Sequence, residues 1–137
     1  RVLAEALSQR VAALVAGRFD APAHAALVEI CRLCDRHLSD APDRAPSARE
    51  MARAACCSVR QLYRAFDQVV GASPLAYRTR LRLLRTRQAI LAESVTGGSV
   101  ADVAARFGWR SPTRFREAYR AEFGETPSQT VERRIRL

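Results

Sequence analysis

Apolar side chains recur along this chain at intervals of three and four residues. Residues 2–16 set Leu3, Leu7, Val11, Leu14 and Val15 on one face of a helix, and residues 22–38 do the same with Leu27, Ile30, Cys31, Cys34 and Leu38. Both stretches fit a 3.6-residue period better than the alternation of a strand. No stretch sustains β-branched alternation, so the expected fold class is all-α. The pattern then predicts short helices over 47–55, 58–70, 74–93, 99–107, 111–123 and 127–134, which makes seven with the helix over 22–38, plus the extra N-terminal one. "SDAPDRAPS" at 39–47 and "ESVTGGS" at 93–99 read as breaks.

The helix boundaries carry their own chemistry. Ser47 with Glu50, and Ser58 with Gln61, have the spacing of a capping box, and Ser99 with Asp102 is a weaker version. Ser73-Pro74, Ser111-Pro112 and Thr126-Pro127 each put an oxygen at the N-cap and Pro at the first helical position, where its missing N–H costs nothing. Gly71 and Gly124 stand where a helix should close on a left-handed residue.

One helix ending is written twice. At an offset of 53, Ser58 meets Ser111, Leu62 meets Phe115, Ala65 meets Ala118, Phe66 meets Tyr119, Gly71 meets Gly124 and Pro74 meets Pro127. Each copy follows a shorter helix across a tight turn, which is the helix-turn-helix shape: 47–71 in one case, 99–124 in the other. Ala52, Ala55, Ala104 and Ala105 are small enough to let paired helices approach closely. In the second helix of the first pair, Leu62, Phe66, Val69 and Val70 are expected to face inward. This leaves Arg60, Arg64 and Asp67 outside, with Gln61 and Tyr63 at the flanks. In the second pair Phe115, Ala118, Tyr119 and Phe123 are expected inward, leaving Thr113, Arg114, Arg116, Glu117 and Arg120 outside. A recognition helix reads base edges near its N-terminus, and Arg can bond guanine bidentately.

Charge sharpens this picture. The net charge is +9, all 23 basic residues are Arg, and residues 47–137 hold 17 Arg against eight acids, a surplus of nine, while 1–46 are balanced. A basic region beside a neutral one points to an anionic partner, nucleic acid above all. Between the helix pairs, "PLAYRTRLRLLRTRQAILAE" carries Arg78, Arg80, Arg82, Arg85 and Arg87 with no acid among them. As one helix it is a stiff spacer, about 27 Å for 18 residues at 1.5 Å each. That length suits two helices reading successive groove segments, which lie about 34 Å apart on one face of DNA. The two copies differ, so two unlike boxes are expected rather than a palindrome.

The residues resemble the DNA-binding domain of the AraC/XylS family of bacterial transcription regulators. "VADVAARFGWRSPTRFREAYRAEFGETPS" is similar to the family signature and "GASPLAYRTRLRLLRTRQAIL" to its linker, and the likeness covers about residues 22–134. It implies two helix-turn-helix units joined by the linker helix 74–93, within a domain over 21–137, and promoter binding that more often activates than represses. Carried over by position, it implies base reading by Arg60, Tyr63, Arg64, Thr113, Arg114, Arg116 and Glu117. Phosphate contacts fall to Ser58, Gln61, Ser111, Arg110, Arg120, Arg85 and Arg87. It further implies double-stranded DNA as partner, RNA polymerase as a second one, a place in the cytoplasm at the nucleoid, and an upstream sensor domain able to mediate oligomerisation. Residues 1–20 then read as a connector from that part. Two departures stand out. The first turn carries Cys56 where the family usually has Gly, so a strained or differently shaped turn is expected, and Thr130-Val131 replaces an aromatic-Arg pair, so the last helix should pack differently.

Other chemistries find little support. No apolar run approaches the roughly 18 residues of a membrane span. No Gly-rich phosphate loop, carboxylate pair or nucleophile–base arrangement is visible, so no catalytic residue and no cofactor is expected. His24 and His37 lie at helix ends, and Trp109 reads as a core plug. Cys31 and Cys34 form C-x-x-C, but Cys56-Cys57 is a poor second pair for zinc, so no metal ligand is assigned. Two alternatives to DNA reading are a helical protein-interaction or dimerisation module and a thiol or zinc sensor.

Overall fold

The computed structural model describes residues 3–5, 7, 8 and 21–136. From Ala21 onward the described residues form seven α-helices, one short 3-10 turn and no strand. In chain order these are α1 (Ala21–Asp40), α2 (Ala48–Ala54), α3 (Val59–Val69), α4 (Pro74–Glu93), the turn Ser94–Thr96, α5 (Val100–Arg106), α6 (Pro112–Phe123) and α7 (Pro127–Arg136). Each expected helix from 22 onward is present within two residues of its expected ends. The expected helix over 2–16 and the connector over 1–20 lie outside the described residues, apart from 3–5, 7 and 8, which are helical. No described helix is long and apolar enough to cross a membrane.

The helices divide into two compact units. The first holds α1 together with Pro46–Tyr77, and the second holds Pro42–Ala45 together with Arg78–Leu137. In the first, α1 packs on α2 and α3. Its core gathers Cys31, Cys34 and Leu38 from α1, Met51 and Ala52 from α2, and Leu62, Ala65, Phe66 and Val69 from α3, all buried. Tyr77 closes it: its ring stands 5.3 Å from that of Phe66, and its hydroxyl donates to Asp35 Oδ1 at 2.5 Å. Ser58 and Gln61 form the expected capping box, with Gln61 N–H donating to Ser58 Oγ at 3.1 Å and Ser58 N–H to Gln61 Oε1 at 2.9 Å.

The turn between α2 and α3 contains the strain expected from the sequence. Cys56 has φ 54°, the one described non-glycine residue in the left-handed region. Holding an L-residue there costs roughly 1–2 kcal/mol. The equivalent residue of the second unit is Gly108, φ 80°. The second turn is one residue longer, so the left-handed positions are 52 apart although α3 and α6 begin 53 apart.

Cys31 and Cys34 are 1 % and 0 % exposed. Burial first, then the neighbouring Cys34 and Cys57, pushes the Cys31 thiol from 9.0 up to about 12; burial, Cys57 and Asp35 do the same for Cys34. The Cys34 thiol donates to Met51 O at 3.6 Å. A thiol must lose its proton to bind metal or attack a disulfide, so these two serve as small core side chains. A thiol reagent at pH 8 is expected to label exposed Cys56 first and to reach Cys31 and Cys34 only on unfolding, as site-resolved mass spectrometry would show. The unfolded chain ionises these thiols at the lower pH. Stability should therefore be undiminished below 9.0 and fall as the pH climbs toward about 12.

In the second unit α6 packs against α5 and α7. Its core is Leu83, Ile90, Val103, Ala104, Phe115 and Tyr119, with Trp109 and Phe123 half-buried against it. Four rings run in sequence, with centroids 5.2 Å apart from Trp109 to Phe115, 5.7 Å to Tyr119 and 4.6 Å to Phe123. Trp109 is the plug expected of it, and its indole N–H donates to Thr86 Oγ1 at 3.2 Å.

Four details of this unit depart from the sequence pattern or add to it. Ser99 makes no side-chain cap on α5, so the Ser99–Asp102 spacing forms no box, and Ala105 is exposed rather than packed between helices. Thr126 and Gln129 do form a reciprocal box, at 2.8 and 3.2 Å. The departure at Thr130 resolves into a polar lock. Thr130 is 2 % exposed, its hydroxyl is 2.8 Å from that of Tyr119, and it donates to Glu125 Oε1 at 2.7 Å, which also pairs with Arg133. Thr130→Val keeps the shape and leaves the buried Tyr119 hydroxyl short of a partner. Its expected cost in denaturant unfolding is about 1 kcal/mol.

Candidate nucleic-acid interface

Each helix-turn-helix presents its second helix with one face buried and the other in solvent. On α3, Leu62, Ala65, Phe66 and Val69 are buried, while Arg60, Gln61, Tyr63 and Arg64 are exposed. On α6, Phe115 and Tyr119 are buried, Ala118 and Phe123 half-buried, and Thr113, Arg114, Arg116, Glu117 and Arg120 exposed. All seven residues assigned to base reading therefore lie on the solvent faces of the two helices, within the first six positions of each. The periodicity dictates this outcome: an apolar stripe that must be buried leaves the opposite stripe in water.

The N-termini of both helices are built alike. Ser58 Oγ accepts from Gln61 N–H, and Ser111 Oγ accepts from Arg114 N–H at 3.3 Å. A serine hydroxyl also has one hydrogen to donate, so capping leaves Ser58 and Ser111 able to bond a phosphate oxygen. Gln61 has spent its carbonyl on the box and retains its two N–H donors. Neither Ser58 nor Gln61 is buried, and Ser111 is half-buried. The partial positive charge of each helix start adds to the attraction for an anion there.

These same helices carry the AraC/XylS resemblance, and known proteins share it. The sequence profile described as a helix-turn-helix domain matches residues 51–133, more than half of the chain. The chain belongs to the AraC/XylS family of helix-turn-helix DNA-binding domains. It is 37 % identical over 89 residues to the XylDLEGF operon transcriptional activator 2 of Pseudomonas putida, covering 64 % of this chain and 56 % of that protein. It is 38 % identical over 80 residues to the HTH-type transcriptional regulator ArgR of Pseudomonas aeruginosa, covering 58 % of this chain and 23 % of that one. A solved transcriptional regulator with an AraC-type DNA-binding domain, from Chromobacterium violaceum, superposes with a TM-score of 0.68 at 29 % identity, over 84 % of this chain and 96 % of that one. The chain thus spans about half or less of the curated relatives' own lengths.

Within this AraC-type domain the arginines of α4 divide by environment. Arg82 is drawn into the second unit: its Nε donates to Phe107 O at 2.7 Å and its guanidinium carbon lies 4.2 Å from the Trp109 ring centroid. Burial, and then the charge of Arg78, lowers its pKa below the usual arginine value. Arg80 pairs with Glu122 at 2.8 Å. Arg87 sits 5.0 Å from the Phe123 ring centroid with its Nε buried, and Arg85 is half-buried. The five charges, uniform in the sequence, are therefore partly structural: the acid for Arg80 and the rings for Arg82 and Arg87 come from residues 25 or more positions away. Arg110 and Arg120, by contrast, are exposed.

Two features of this surface escaped the sequence reading. Val59, at the first position of α3, is 40 % exposed, as is Tyr63 one turn later. Its place four residues ahead of Tyr63, off the buried stripe, was the available signal. The other is a cavity of about 820 Å³ beside the second turn, walled by Arg44, Arg82, Arg106, Arg110 and Arg114, with Asp43 as its acid. Arg106 is tied to Glu93. Arg44 sits in the stretch that reads as a break between helices, and nothing local marks it.

Proposed function

We propose that this chain binds double-stranded DNA sequence-specifically, as the DNA-reading part of a transcription regulator, with α3 and α6 each in a major-groove segment. The observation that carries this reading is the duplicated helix: two capped recognition helices, each with its apolar stripe buried and arginines exposed near its N-terminus. Arg60, Arg64, Arg114 and Arg116 supply forked donors that suit guanine O6 and N7. Val59 and Tyr63 supply apolar surface that suits a thymine methyl. Thr113 and Glu117 complete the second set, Glu117 as an acceptor for cytosine N4. Ser58, Gln61, Ser111, Arg110, Arg120 and the half-buried Arg85 and Arg87 serve the phosphates. Activation is the favoured sign of regulation, since matching relatives are named transcriptional activators.

The test is selection of bound duplexes from a random pool, followed by affinity measurements across a salt series. The expected result is two short unlike boxes about one helical turn apart, and a log affinity that falls linearly with log salt as counterions are released. Recovery of no common sequence would end the base-reading assignment. Binding to a protein partner with no salt dependence would favour the interaction module instead.

A further inference from the structure

The stretch between α1 and α2 reads as a passive break, yet its residues Pro42–Ala45 belong to the second unit while the helices on either side belong to the first. It is seated on the turn between α5 and α6. Gly108 lies so close beneath it that a Cβ there would stand 2.1 Å from the Asp43 carbonyl oxygen. This strap forms one wall of the 820 Å³ cavity, and the rest comes from Arg82 of α4, the end of α5, the turn and the start of α6. Five arginines and one aspartate line it. Two of the arginines are committed, Arg82 to Trp109 and Phe107 O, and Arg106 to Glu93. Arg44, Arg110 and Arg114 are exposed, and among the described residues none of the three guanidinium groups has an ion-pair partner. Like charges gathered around one hollow repel one another and favour an anion between them. The hollow opens beside the helix start assigned to the groove.

From this arrangement we infer that the strap is part of the second DNA-binding unit. Arg44 acts with Arg110 as a clamp on a backbone phosphodiester flanking the box that α6 reads. This rests on the DNA-binding reading above and adds to it a contact from a segment that precedes the first helix-turn-helix. Arg114, on the same rim, faces both the hollow and the groove, so the clamp also sets the depth at which α6 enters. Phosphate contacts of this kind fix register and carry no base preference.

The experiment uses the full chain and the duplex recovered by selection. Arg44→Ala is expected to lower affinity for selected and random duplexes alike. It should also make the slope of log affinity against log salt shallower by about 0.9, the share of one phosphate. Arg44→Lys should restore most of the slope, and Arg36→Ala, an exposed arginine on α1, should leave it unchanged. Single methylphosphonate substitutions along the duplex should reveal one position beside the second box whose neutralisation weakens the parent protein and not Arg44→Ala. An unchanged slope in Arg44→Ala, with an unchanged thermal midpoint and intact selection of the boxes, would overturn the clamp and leave the DNA reading standing. Failure of the parent protein to bind any duplex would overturn both.

Discussion

Arg114→Ala is expected to weaken binding to the selected duplex by about 1–3 kcal/mol and to relax the preference at one base position. Arg114 is the third residue of α6, exposed, and its backbone N–H is held by Ser111 Oγ. Truncation at Cβ leaves that cap in place and removes nothing from the Phe115–Tyr119 core, so the helix should remain where it is. What disappears is a planar fork of donors able to bond two acceptors of guanine together. Random duplex, which offers that fork no matched pair, should lose only the electrostatic share. The informative measurement is therefore a pair of competition titrations, one with the selected duplex and one with scrambled sequence. Equal losses on both would strip Arg114 of its base-reading role and make it another phosphate contact.

Gly108→Ala should unfold or misfold the second unit more readily than any surface change. Gly108 has φ 80°, where an added Cβ costs roughly 1–2 kcal/mol. The added methyl would also collide with the Asp43 carbonyl, and overpacking of this kind typically costs about 1–3 kcal/mol. Together these predict a loss of about 2–5 kcal/mol in denaturant unfolding. Cys56 offers the internal comparison. It already carries a side chain at φ 54° and is exposed, so Cys56→Gly should be neutral or stabilising. If Gly108→Ala proved as mild as Cys56→Gly, the close seat of the strap on the turn would be wrong.

The candidate interface was largely legible in the sequence because its signals are local. Leu62, Phe66 and Val69 recur at helical spacing, Ser58 and Ser111 mark helix starts, and the charged residues left over face outward. The arginines of α4 show where that logic fails. Arg80, Arg82 and Arg87 are alike in sequence, and their fates are set by Glu122, Trp109 and Phe123, residues far along the chain. Likewise Ser99 has a capping residue's identity and spacing but makes no side-chain cap, whereas Thr126 caps α7 as its place before Pro127 predicts and Gln129 adds the reciprocal bond.

By itself, then, the amino-acid order determined which segments become helices, where each begins and ends, and which stripe of each must avoid water. Those outcomes depend on hydrogen bonds and burial within a few residues. Only the tertiary structure decided which arginines are spent on rings and carboxylates. It also decided how Thr130 locks Tyr119 to Glu125, and that Pro42–Ala45 joins the second unit rather than the first. These depend on pairs of groups brought within a few ångströms across long stretches of chain, and spacing along the sequence carries no record of such distances.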